Sequence, residues 1–136
     1  MGRVFFNTRK NVHALTAAYT VLDSDSGKIF TLDSAGGAYT ITLPTAPQEG
    51  FNCKFVVKEN TPTADITITA GSDIIDLVMK DPGGNASNST AGTAKTTIVC
   101  HTECTKGVYV NIFTDGTTYY AEALSGIDDA IDHTAQ

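Results

Sequence analysis

The sequence predicts an all-β domain: an antiparallel β-sandwich or partly closed, jelly-roll-like barrel with at most one short C-terminal helix. Three observations lead there. Short apolar runs recur at even spacing between Gly, Asp, Asn and Ser corners, the pattern of strands joined by turns. Threonine accounts for 21 of the 136 residues, and a β-branched, half-polar side chain suits a pleated surface with one wet face. One phrase is written twice, Thr-Val-Leu-Asp-Ser-Asp-Ser-Gly over 20–27 and Thr-Leu-Asp-Ser-Ala-Gly-Gly over 31–37. Each copy has the length of one short strand plus its turn.

In chain order the expected strands are Val4–Asn7, Tyr19–Leu22, Lys28–Leu32, Ala38–Leu43, Phe51–Lys58, Ile66–Ala70, Ile74–Met79, Thr96–Thr102, Val108–Thr114 and Thr118–Leu124. The first two are short β-branched or aromatic runs, and the second ends at the first Asp-Ser corner. Lys28–Leu32 lies between the two corners, and Ala38–Leu43 stops at Pro44, which cannot donate to a ladder. Alternation is clearest in the fifth strand, where Phe51, Cys53, Phe55 and Val57 share a face opposite Asn52, Lys54 and Lys58. Ile66 and Ile68 oppose Thr67 and Thr69, and Val108, Val110 and Ile112 form a third apolar row. Asp115-Gly116 between two β-rich runs predicts a type I′ hairpin, because both central residues of that turn need positive φ. Residues 81–92, rich in Gly, Ser, Asn and Thr, predict a mobile surface loop. Ile127, Ala130 and Ile131 have helical spacing, so Gly126–His133 is the one helix candidate. The chain then divides into an arm with a first short strand over 1–18, a sandwich over 19–125 and a short polar tail over 126–136.

The net charge is −6, and only 18% of residues are charged. Nucleic-acid affinity rests largely on Lys and Arg displacing counterions, so direct nucleic-acid binding is not expected. Charge is unevenly spread: residues 1–12 carry Arg3, Arg9 and Lys10 with no acid, whereas no Lys or Arg follows Lys106 and Glu122, Asp128, Asp129 and Asp132 do. Solvated termini are the plain reading. The sharper one is a basic, partly apolar arm (Arg3, Val4, Phe5, Phe6, Arg9, Lys10) that lies on an acidic neighbour. Two adjacent phenylalanines cost roughly 1.5–3 kcal/mol each when left in water rather than buried. The first residues lack the apolar core of a secretory signal, Phe6 stands where a myristoylation pattern wants Ser or Thr, and no run approaches the ~20 apolar residues of a membrane span. The expectation is a chain made in a cytosol, with no membrane partner.

Candidate chemical sites are few. Cys100-His101-Thr102-Glu103-Cys104 has the look of a metal site, but the second close pair of ligands that zinc favours is missing from the sequence. Cys53 alternates with Phe51, Phe55 and Val57, and Cys100 shares a parity with Ile98, so both read as core thiols. A Cys100–Cys104 disulfide and a metal remain open alternatives. Asp23-Ser24-Asp25-Ser26-Gly27 opens like a calcium loop, but Asp33 stands where the bidentate Glu belongs. Asp and Ser are also ordinary turn residues, and the turn is the preferred reading. His13, His101 and His133 lie in no catalytic signature, and no nucleophile motif or phosphate-cradling Gly loop is present. The sequence therefore gives no catalytic, cofactor or metal residue, and an enzyme is not expected. The sequons at Asn85 and Asn88 are chance features of a polar loop.

In order along the chain stand TVLDSDSGKIFTLD (20–33), GGAYTITLP (36–44), GFNCKFVV (50–57), DITITAGSDII (65–75) and NIFTDGTTYY (111–120). This order resembles the small head decoration, or cement, proteins of tailed bacteriophages of the marine and cyanophage type. The likeness spans Tyr19 to Leu124. It departs from the family pattern at the Gly83–Gly92 loop and the cysteines, and Tyr119 stands where Trp is common. The resemblance implies a virion structural protein on the outside of an icosahedral head, assembled in host cytoplasm. It would bind as a homotrimer near local three-fold positions and clamp adjacent major capsid proteins. On that expectation Arg3, Val4, Phe5, Phe6, Arg9 and Lys10 form the capsid-facing arm, which could add a strand to a neighbour's sheet. The rival expectation is a tail-fibre or receptor-binding domain that recognises host glycans, with Tyr119-Tyr120 beside Asp115-Gly116 as its aromatic platform.

Overall fold

A computed structural model describes residues 10–59, 62–71, 74–80, 91–127 and 130–134. The expected strand Val4–Asn7 and the arm residues Arg3, Val4, Phe5, Phe6 and Arg9 lie outside the described residues. So do 81–90 of the expected loop, with Asn85 and Asn88. Twelve strands are described: β1 (Val12–Leu15), β2 (Tyr19–Thr20), β3 (Ile29–Leu32), β4 (Tyr39–Thr42), β5 (Asn52–Val57), β6 (Ile66–Thr69), β7 (Ile74–Lys80), β8 (Ala91–Lys95), β9 (Thr97–Cys100), β10 (Tyr109–Thr114), β11 (Thr118–Leu124) and β12 (Ile131–Thr134). They form a seven-stranded sheet in the order β1-β3-β5-β10-β11-β7-β8 and a five-stranded sheet in the order β12-β9-β6-β4-β2. The all-β sandwich expected from the sequence is the observed architecture.

The sheets are mixed, where antiparallel pairing was expected. The first six strands alternate between the two sheets, so same-sheet neighbours are reached after two crossings and run in the same direction. Hence β1, β3 and β5 are parallel, as are β2, β4 and β6. The twice-written Asp-Ser corner explains the difference. It carries the chain across to the opposite sheet, roughly 10 Å away, instead of folding it onto a neighbour about 4.8 Å away. At the first corner Asp23–Asp25 form a 3-10 turn and Gly27 takes φ +82°. At the second, the fully buried Ser34 hydroxyl donates to Glu59 at 2.8 Å and accepts from the Thr63 N–H at 2.9 Å.

Between the sheets lies one core. His13, Phe30, Phe55, Val110 and Ala123 are register partners across five strands of the larger sheet. Phe30 and Phe55 stack with centroids 5.2 Å apart. On the smaller sheet Ile41, Ile68 and Ile98 are register partners, each fully buried. The other face of that sheet explains the threonine content. Thr20, Thr42, Thr69 and Thr97 occupy successive partner positions across four strands, an arrangement in which β-branched neighbours support one another across the ladder.

Two local expectations are corrected. The helix expected over Gly126–His133 is replaced by β12, which pairs antiparallel with β9, Ile131 opposite Cys100. A helix of two turns has too few hydrogen bonds to offset its nucleation cost, whereas Ala130 and Ile131 are buried in the core by joining the sheet. With β1 and β12 both in the sheets, the sandwich reaches beyond 19–125 into the expected arm and tail. The β10–β11 hairpin forms as expected, but through three residues, Asp115-Gly116-Thr117, and not a two-residue turn. Asp115 Oδ1 accepts from the N–H groups of Thr117 and Thr118 at 2.9 and 2.8 Å, so a side chain organises the turn.

Candidate functional site

The outward face of the seven-stranded sheet is the candidate site. Its inward positions are Phe30, Leu32, Cys53, Phe55, Val57, Val110, Ile112, Tyr119, Ala121 and Ala123, all buried. Strand alternation then turns their neighbours to the outside. Register places Val12, Ile29, Lys54, Asn111, Glu122 and Val78 in one row. A second row holds Thr31, Val56, Tyr109, Leu124 and Lys80, and a third holds Asn52, Phe113, Tyr120 and Asp76. Val12, Val78 and Phe113 are 58%, 65% and 56% exposed, and Leu124 is exposed beside them. Covering each of these would contribute on the order of 1–2 kcal/mol.

Aromatic contacts give the face its shape. Phe113 and Tyr120 stack at 5.2 Å, nearly parallel, and the Tyr120 hydroxyl donates to Asp115 Oδ2 at 3.1 Å. The Lys54 ammonium lies 4.3 Å from the centre of the Tyr109 ring, close enough for attraction to the ring's negative face. Asp115 is exposed, and the N–H groups of Thr118 and Thr117 lower its carboxyl to about 2. Beside β3 a trough of about 300 Å³ opens on the same face.

Other sequence candidates fall into structural roles. Lys10 is exposed and lines the trough; of the six expected arm residues it is the one within the described part. Asp25 is buried and accepts from Lys28 Nζ, from the Leu22 N–H at 2.9 Å and from the Tyr19 hydroxyl at 3.1 Å. Burial alone would raise its carboxyl, but these donors together hold it below the usual range. This is the turn reading of residues 23–27, with an ion pair between the buried Asp25 and the half-buried Lys28 that the sequence did not announce. Cys53, Cys100 and Cys104 are buried free thiols. Burial pushes Cys53 up to about 12, and the hydrogen bond with Cys104, with burial, raises Cys100. The Cys104 thiol also donates to the Ala130 carbonyl at 3.0 Å.

The histidines lie apart in role. His13 packs on Tyr19 and Phe30, and His101 Nδ1 lies 3.2 Å from Asp65. Among the described residues no three His, Cys, Asp or Glu side chains converge as metal ligands would. Tyr119 and Tyr120 part company: Tyr119 is fully buried and donates to the Pro44 carbonyl, while Tyr120 faces outward. The outward face itself was missed in the sequence. Its signal was present as the complement of the Val108, Val110, Ile112 row, since Tyr109, Asn111 and Phe113 must then face water.

No family model matches the chain, and a search of curated proteins gives no significant relative.

Proposed function

We propose that the protein is a virion structural protein, a decoration or cement protein that binds the outside of a phage head and braces contacts between major capsid proteins. The observation that carries this reading is the outward face of the seven-stranded sheet, where the exposed Val12, Val78, Phe113 and Leu124 are interleaved with Lys54, Asn111 and Glu122 on a two-layer scaffold. Apolar residues arranged this way favour contact with another protein surface. The order of motifs from Tyr19 to Leu124, which resembles head decoration proteins, supports a capsid as that surface. Three copies around a local three-fold would bind the shell multivalently, so modest contacts per copy hold tightly together. No catalytic step is part of this reading.

The test is position and copy number in purified particles. Quantitative mass spectrometry and electron microscopy should find the protein on heads, in a fixed ratio to the main shell subunit. A variant with Val78→Asp and Phe113→Asp should lose head occupancy while keeping its fold. Full occupancy of that variant, or a protein confined to tails, refutes the reading.

A second reading rests on the Phe113–Tyr120 stack beside Asp115. An exposed aromatic plane next to a carboxylate is chemistry that holds a sugar ring, as in a tail-fibre or receptor-binding domain. Binding to host surface glycans that Phe113→Ala abolishes, with the protein on the tail, would favour it.

A further inference from the structure

We infer that the trough beside β3 is a docking site for an extended acidic segment of a partner protein. The trough holds about 300 Å³, and Lys10, Lys28, Ile29, Lys54, Asn111 and Phe113 shape it. Three of its lining residues are lysines and none is a carboxylate, on a chain whose net charge is −6. Lys28 is neutralised by Asp25. Lys10 and Lys54 have no carboxylate partner among the described residues; the Lys54 ammonium rests over the Tyr109 ring, outside the trough lining, and keeps its charge there, so it swings from that ring to meet a ligand. The carboxylate next along the Lys54 row is Glu122, two strands further on, and the Asp115 carboxylate is held in its own turn. The trough is thus a local cationic site in an anionic protein.

Its shape selects an extended peptide. Lys10 precedes β1 by two residues and Lys54 lies on β5, with β3 between those strands. Val12, not Lys10, shares the row of Lys54, so the two cations are rooted two strands and two residues apart, about 12 Å. In an extended chain, alternate residues lie about 7 Å apart on one side, a gap that two lysine side chains readily span. Ile29 and Phe113 offer apolar contact between and beside the charges, and Asn52 and Asn111 flank the trough with amide groups. Two uncompensated lysines are too few for a phosphate backbone, which needs a longer cationic track. The inference goes beyond head decoration and does not rest on it, since it concerns the chemistry of one groove and not the identity of the particle.

The test uses the full chain and a capped pentapeptide in which glutamate alternates with threonine and leucine. Controls are its glutamine counterpart and a short oligothymidine. Titration followed by amide NMR should shift Lys54, Asn111 and Phe113 on adding the acidic peptide, with affinity falling as salt rises. Lys54→Glu and Lys10→Glu should each weaken binding about tenfold or more, Lys54→Gln by less, and Lys106→Glu not at all. Thermal melting checks that each variant folds, and Lys54→Gln serves where a charge reversal does not. Equal binding of the glutamine peptide, tighter binding of the oligothymidine, or undiminished binding by Lys54→Gln and Lys10→Glu would each overturn the inference. Self-association at the trough that the acidic peptide does not displace would overturn it too. Absence of the wild-type protein from purified heads, with peptide binding intact, would refute decoration and leave the trough standing.

Discussion

Replacing Asp25 should show how the first corner is held. Its carboxylate is buried between the sheets' first crossing strands, with Tyr19 on β2 and Lys28 just before β3. Asp25→Ala removes three hydrogen bonds, one from a backbone N–H and one from an ammonium. Hydrogen bonds to a charged group contribute about 1.5–3 kcal/mol each, and neutral ones about 1. Lys28 and Tyr19 both retain some exposure and regain water, so the full sum is not lost; about 3 kcal/mol is expected. Asp25→Asn keeps the shape and an acceptor for Leu22 but loses the charge, and should cost about 1–2 kcal/mol. For a chain of this length 3 kcal/mol lowers Tm by roughly 10 °C. Urea titration and thermal melting at neutral pH measure both variants. The pH dependence has a definite sign. The folded carboxyl lies below the ordinary value of about 3.9, so its stabilisation is full above that value and fades as pH falls through the folded one. The gap between wild type and Asp25→Asn should therefore shrink in acid. A gap that widens on acidification, or an alanine variant as stable as wild type, refutes the Asp25–Lys28 ion pair as the corner's anchor.

Three further outcomes follow from single residues. Gly107 has φ +98°, so Gly107→Ala should cost about 1–2 kcal/mol, while Gly126→Ala, with open space at its Cβ and no positive φ, should cost under about 0.5 kcal/mol; equal effects in urea titration would refute the assignment. All three thiols should resist a disulfide reagent in the native state at pH 8 and react once the chain is unfolded, since they are buried and Cys53 titrates at about 12; rapid labelling of a folded chain contradicts this. NMR titration should place the exposed Asp115 carboxyl at about 2, and Thr117 and Thr118 amide shifts should follow the same curve; an ordinary aspartate value would show that the turn is not organised by this side chain.

How legible the fold was in the sequence depends on how local its cause is. The inward rows of β5, β6 and β10 were readable because alternation needs only one strand. The Asp115-Gly116 hairpin was readable because both of its strands adjoin the turn. Sheet assignment was not, because a Ser-rich corner that folds back and one that crosses over use the same residues. Asp25 illustrates the point: its acidity suggested an ordinary turn, while its burial depends on Tyr19 and Lys28 meeting over it. β1 and β12 escaped for another reason. Val12–Leu15 and Ile131–Thr134 are edge strands as short as β6, but Val-His-Ala-Leu and Ile-Asp-His-Thr lack the clean alternation of Ile-Thr-Ile-Thr, so periodicity does not distinguish strand from loop or helix there. The candidate site was legible only in part. Lys10 and Tyr120 were singled out, but Val12, Lys54, Val78 and Phe113 come together through register between strands distant in sequence.

The two outer faces of the sandwich now differ in a way that composition cannot show. Both obey a period of two, and both need residues that tolerate a pleated surface. Across the five-stranded sheet that need is met by threonines at successive partner positions, which remain at ease in water. Across the seven-stranded sheet it is met by valine, isoleucine, leucine, phenylalanine and tyrosine interleaved with a few charges. Among the described residues, Val12, Val78, Phe113 and Leu124 are exposed large apolar side chains on that sheet, and none is so on the strands of the other. Fold stability alone does not call for this asymmetry, since threonine would serve either surface. The partner proposed for the seven-stranded face accounts for it. Threonine at Val12, Val78 and Phe113 together should therefore leave Tm within a few degrees of wild type and, on the proposed reading, remove the protein from heads. A large loss of Tm from that triple variant would assign the apolar face to the fold and remove the ground for a partner there.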